Sequence, residues 1–134
     1  MKGYNENIEE LTVANGDFRR VLYTGKHLQL VLMTLQPGEE IGSEVHDGID
    51  QFFRFEDGDG VVDIDGVENR VADGSGVIVP SGARHNVRNT GKSPLKLYTI
   101  YSPPEHQDGI VQATKADAEA RHHDEEFDGH TTES

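Results

Sequence analysis

Neither cysteine nor tryptophan occurs in this chain. Without thiols no disulfide can staple a small core and no thiolate can hold a metal, so any bound ion must sit on nitrogen and oxygen donors. Basic residues are scarce as well: five lysines and seven arginines against 25 acidic residues give a formal net charge of −13. That balance repels phosphate backbones and anionic lipid surfaces, and it argues against nucleic acid and membrane as partners. The acidity also suits a protein that must stay hydrated at high salt; a halophilic source and an ordinary acidic cytosolic protein are both consistent with it. Long apolar runs are missing too. The opening MKGYNENIEE has no apolar signal region, and no stretch approaches the ~20 apolar residues of a spanning helix, so a cytoplasmic location is expected. With 134 residues, 34% of them hydrophobic, the chain has material for one core.

What the sequence does have is turns. Asn15-Gly16-Asp17, Pro37-Gly38, Asp47-Gly48, Asp57-Gly58-Asp59-Gly60, Asp65-Gly66, Asp73-Gly74 and Ser81-Gly82 punctuate short apolar runs, a spacing typical of all-β chains. Strands are expected over 18–24, 28–35, 41–46, 51–56, 60–65, 68–72, 76–79, 84–89 and 94–101, closing into an antiparallel jelly-roll barrel that occupies residues 1–112. Beyond Ser102-Pro103-Pro104, where proline cannot donate to a ladder, residues 113–134 read as a short helix and a tail. Thr114 and Asp117 sit at the spacing of a helix cap. The acidic, histidine-containing end is expected to be disordered, with His122, His123 and His130 solvated rather than metal-bound.

Alternation assigns faces. Arg54 marks the outer side of its strand, which places Gln51, Phe53 and Phe55 inward; Arg84 and Arg88 likewise leave His85, Val87 and Asn89 inward. In 28–35, polar Gln29 implies that Val31, Met33 and Leu35 face outward while Leu28, Leu30 and Leu32 take the core. An outward apolar row calls for a cover, and a homodimer is the expected one.

Two segments can bring donors together. Glu44 and His46 are two apart on one strand and so share a face, and Gln51 opens the next strand on its inner side. In the second segment, Gly74, Pro80 and Gly82 build a turn directly before inward His85, with Asn89 four residues on. A carboxylate, two imidazoles and an amide oxygen suit a divalent Mn, Fe, Co, Ni or Zn ion. Both segments resemble the two motifs of the cupin superfamily, G-x5-H-x-H-x3/4-E-x6-G and G-x5-P-x-G-x2-H-x3-N. Gly74, Pro80, Gly82, His85 and Asn89 meet the second throughout. Gly38, His46 and Gly58 meet the first, while Glu44 stands where the first histidine belongs and Gln51 where the glutamate belongs. The carboxylate has exchanged places, so the formal ligand charge is kept.

The resemblance implies a cupin double-stranded β-helix with one divalent ion on Glu44, His46, Gln51 and His85. A pocket of Phe53, Phe55, Ile78, Val87, Asn89 and Tyr101 is expected to favour a small, partly apolar or carbonyl-bearing molecule. An enzyme of dioxygenase, isomerase or lyase type is one implied function, with Glu44 available as a base if it is not a ligand. A non-catalytic binding or sensory module and a mannose-6-phosphate-isomerase-like sugar binder are others, as is a structural role. Glu44 and Gln51 as ordinary polar residues in a metal-free barrel is a further alternative. Arg84 and Lys96 are expected at the surface, and His106 lies where it could fold over the barrel mouth.

Overall fold

The structure is a computed structural model that describes residues 1–121 and 124–134. A helix α1 (Ile8–Ala14) leads into β1 (Arg19–Thr24), β2 (Gln29–Leu35), β3 (Glu44–Val45), β4 (Asp50–Asp57), β5 (Gly60–Ile64), β6 (Val67–Val71), β7 (Gly76–Val79), β8 (Arg84–Asn89), β9 (Leu95–Ser102) and β10 (Val111–Gln112). A second helix α2 (Lys115–Ala120) follows. The strands form a six-stranded sheet in the order β10-β1-β2-β9-β4-β7 and a four-stranded sheet in the order β3-β8-β5-β6. Every pairing is antiparallel. Inward residues of both sheets, among them Met33, Leu35, Phe53, Phe55, Val62 and Val87, merge into one core, which removes each sheet's apolar face from water.

Local chemistry accounts for the connections. Asp65 and Gly66 both have positive φ, 46° and 82°, and join β5 to β6 as a two-residue turn of the kind whose twist matches the strands. The Thr114 side chain accepts from the Asp117 backbone N–H, capping α2 as its sequence foretells. The seven-residue α1 is capped by Asn7, which accepts from the Glu10 N–H. Asn7 and Glu10 stand at capping-box spacing, a signal sufficient to find this helix from sequence.

Three expectations need correction. On β2 it is Val31, Met33 and Leu35 that face the barrel core, whereas of the expected core residues Leu28 is exposed, Leu30 is half-buried and Leu32 is buried outside that cluster. The reason is Gln29, which is polar yet inward. Its Nε2 donates to Thr24 Oγ1 at 2.9 Å and to the His106 carbonyl at 2.7 Å, and its Oε1 accepts from the Glu105 and His106 N–H groups. A buried amide with all these partners carries little desolvation cost, so polarity was a poor guide to its face. The dimer can no longer be argued from Val31, Met33 and Leu35. Second, the C-terminal residues are not a free tail. His106 bridges Glu126, the Phe127 N–H donates to the Glu105 carbonyl, Thr132 N–H to the Thr24 carbonyl, and the Tyr23 hydroxyl to Glu133 Oε2 at 2.5 Å. His130 lies exposed beside Asp128; His122 and His123 fall outside the described residues. Third, Ile78 points away from the barrel and is 70% exposed. Its strand, Gly-Val-Ile-Val, offers no polar marker to set the alternation, and its inward residues are Val77 and Val79.

Candidate metal centre

The β-sandwich carries donors from both sheets to one end of the interior. Glu44 on β3 lies directly opposite His85 on β8, and His46 is the first residue beyond β3. From the other sheet, Gln51 on β4 lies opposite Tyr101 on β9. One donor atom from each of Glu44, His46 and His85 lies within 4.8 Å of the others. The space bordered by Glu44 and His85 is also lined by Gln51, Phe53, Val87 and Tyr101. Of the expected pocket, then, Phe53, Val87 and Tyr101 are present. Phe55 lies deeper and stacks on Phe53 at 6.4 Å. Asn89 is buried elsewhere: its amide donates to the Leu35 and Ser93 carbonyls and its oxygen accepts from the Gly91 N–H. It ties a turn together and does not line the space beside the donors.

Hydrogen bonding sets the orientation of two donors. His85 Nδ1 is 3.1 Å from the Ala83 carbonyl. A carbonyl only accepts, so Nδ1 carries a proton, and in the neutral imidazole the lone pair is then on Nε2. The Gln51 amide is fixed by a similar argument. The Thr99 hydroxyl spends its one proton on the Phe52 carbonyl at 2.9 Å, so towards Gln51 at 2.9 Å it can only accept. The Gln51 NH2 must therefore face Thr99, which turns Oε1 away from it. That oxygen is buried and has no hydrogen-bond partner, as a lone pair meant for a ligand would be.

Glu44 Oε2 and His46 Nε2 are 2.7 Å apart, yet His46 Nε2 has no partner in hydrogen-bond geometry. Burial pushes the Glu44 carboxyl up, but the neighbouring His46, with Arg19 and His85, brings it below the usual carboxylate range. The Glu44 carboxylate in turn holds His46 above its ordinary value against the effect of burial. Tyr101 is 2% exposed and, chiefly by burial, its phenol is raised far enough to remain a protonated hydroxyl; it lies 3.4 Å from His106 Nε2. His106 does reach the barrel mouth, its ring 5.2 Å from that of Tyr101. Arg84 is exposed and Lys96 bonds the Asn15 carbonyl, so neither cation faces the donors.

These shifts give a pH signature for metal-free protein. The lowered Glu44 contributes stability above its ordinary value of 4.5 that is lost as pH falls through the lowered value. The raised His46 contributes stability below 6.5 that is lost as pH rises through the raised value. In chelator, wild type is expected to out-melt His46→Gln most between those two pH values and to lose that advantage in alkali. A melting-point difference that stays flat from acid to alkali would contradict the pairing.

Sequence reading missed the other wall of this end of the barrel: Phe18, Arg19, Ile41 and Lys115. One signal was available. Arg19 and Val21 alternate on β1, and Val21 is core.

The comparisons agree with this geometry. A family model described as a cupin domain matches residues 31–101. The Bacillus subtilis protein YrkC is 48% identical over 125 residues, covering 89% of this chain and 67% of its own length. The crystal structure of BH2720 from Bacillus halodurans superposes with a TM-score of 0.87 at 47% identity, covering 89% of this chain and 95% of that one. A predicted oxalate decarboxylase from Thermotoga maritima superposes with a TM-score of 0.56 at 26% identity over 58% of this chain and 68% of its own. Motifs, barrel and relatives converge, and this chain belongs to the cupin superfamily.

Proposed function

We propose that this cupin is a metal-dependent enzyme acting on a small organic molecule, with one divalent ion held by Glu44, His46, His85 and the Gln51 amide oxygen. The observation that carries the reading is the buried, partnerless Gln51 Oε1 at the edge of the Glu44, His46 and His85 cluster. An isolated buried acceptor costs ~1–3 kcal/mol, a cost an ion would offset. The ion, when bound, supplies Lewis-acid polarisation of a substrate oxygen. The chain's own contributions are then distinct. His85 and His46 present ring nitrogens, Tyr101 holds a proton at its hydroxyl beside the site, and Phe53 and Val87 exclude water. The Thermotoga neighbour, described as a predicted oxalate decarboxylase, supports a lyase-type reaction.

Elemental analysis of protein purified without added metal or a histidine tag tests this directly. About one equivalent of Mn, Fe, Co, Ni or Zn per chain is expected. Thr99→Val removes the hydroxyl that orients Gln51 and is expected to weaken metal affinity ~10-fold, the usual scale for such supporting partners, with little change in fold. Protein that carries no metal, and whose melting point ignores all five ions, would leave the binding module as the better reading.

We also propose that two copies pair through the outer face of the six-stranded sheet, where Leu28, Leu30, Phe52, Ile78, Tyr98 and Ile100 are open or half-open. On a chain of net charge −13, an apolar face is where like-charged copies meet with least repulsion. Sedimentation is expected to show a dimer that Ile78→Glu converts to monomer; a wild-type monomer at all concentrations would refute the pairing.

A further inference from the structure

Glu44 has a second side. Beyond it lies a cavity of about 310 Å³ walled by Phe18, Arg19, Ile41, Glu44, Lys115 and Ala118. Ile41 and Glu44 also border the space among the metal-type donors, so the two compartments share a wall. That inner space leaves no volume open to a water-sized molecule. Anything larger than an ion must lie mainly in the outer cavity and reach past Glu44.

Arg19 is the unusual member of that wall. It projects inward from β1, between Met33 and Gln112 on the neighbouring strands, and is only 8% exposed. Nη1 donates to Gln112 Oε1 at 2.7 Å, the guanidinium lies 5.2 Å over the Phe18 ring, and Nε is buried with no partner. Among the described residues no carboxylate lies within ion-pair distance of it. A buried guanidinium with no anion in direct contact, and only the Glu44 charge at longer range, is costly, and its planar fork matches a carboxylate. Lys115, at the start of α2, brings a second cation to the same cavity.

We propose that Arg19 recognises a substrate carboxylate, and that the cavity takes a small organic acid whose second oxygen function reaches the Glu44, His46 and His85 cluster. The inference rests on the metal-centre reading and specifies its substrate class. Phosphate esters fit less well. The two cations are balanced by Glu44 and by Glu119, which also lines the cavity, so a dianion would meet two carboxylates, whereas a monoanionic carboxylate spans the gap between Arg19 and the donors.

Calorimetry on manganese-loaded protein of measured metal content tests the assignment, with the monoanions glycolate and lactate as probes, glycolamide and lactamide as their uncharged counterparts, and inorganic phosphate as the competing anion. The acids are expected to bind at least ~10-fold more tightly than the amides. Arg19→Met should weaken acid binding by ~10–100-fold, the range for a lost charge-assisted hydrogen bond, while manganese stays at wild-type content. Lys115→Gln, on the helix and half-buried, should cause a smaller loss and serves if Arg19→Met fails to fold. Acid binding that survives both substitutions within twofold, acids no better than amides, or phosphate preferred over both acids would each overturn the proposal. If wild type binds no manganese, the metal reading fails on its own, and the acid titrations on that protein still decide the role of Arg19.

Discussion

His85→Ala is expected to emerge from purification without its divalent ion, where wild type carries about one. Ala83 orients this imidazole so that Nε2 offers a lone pair to the cluster. Losing a donor outright should exceed the ~10–100-fold effect of losing a residue that merely orients one. The consequence appears in stability as well as content. Ion at 100 times its dissociation constant adds ~2.7 kcal/mol to the folded state, which for a domain of this size raises the melting point by ~10 °C. Wild type should show that rise on titration with manganese or nickel, and His85→Ala should not. His130→Ala, whose imidazole is exposed beside Asp128, should behave as wild type in both measurements. Equal metal content in all three proteins would place the ion elsewhere, and no metal in any of them would remove it.

Gly58→Ala should be among the most damaging small substitutions in the barrel. Gly58 closes the first motif and has a φ of 95°; a Cβ there would lie 2.7 Å from the Pro94 carbonyl oxygen and 3.0 Å from Leu95 Cα. Both obstacles are backbone and cannot rotate aside. The left-handed conformation costs a side chain ~1–2 kcal/mol and forced overpacking ~1–3 kcal/mol, together about 3 kcal/mol or a melting-point loss of ~10 °C. Gly66 is the control. Its φ is 82°, but nothing lies within 4 Å of the added carbon, so Gly66→Ala should show the conformational cost alone, ~1 kcal/mol. Equal losses in the two variants would mean that the close approach of the β9 entry to Gly58 contributes nothing.

The residues that were readable share a property: their neighbours in sequence announce them. Gly58, Gly74, Pro80 and Gly82 occupy turns whose chemistry is local, and strand limits fell within a few residues of expectation because turn residues bound them. His85 and Gln51 were assigned inward by flanking arginines, and both are buried. Where the local marker misled or was missing, the reading failed. Gln29 is polar but buried by partners from the loop that ends at His106; Ile78 sits among apolar neighbours that give no phase; Asn89 fits a motif position but serves a turn. Arg19 and Lys115 are far from the motifs in sequence, and nothing near them indicates a shared cavity.

By itself, then, the sequence determined a cysteine-free all-β barrel and its turns, and it pointed to Glu44, His46, Gln51 and His85 as a candidate donor set, because turn geometry and period-two alternation are properties of a few adjacent residues. Only the tertiary structure decided which face of β2 is core, that residues 124–134 strap the 105–108 loop, that Thr99 turns the Gln51 oxygen away from itself, and that a buried guanidinium stands across Glu44 from the donor cluster. Each of those depends on atoms from distant segments competing for the same hydrogen bonds and the same volume, and that competition is settled only when the sheets close.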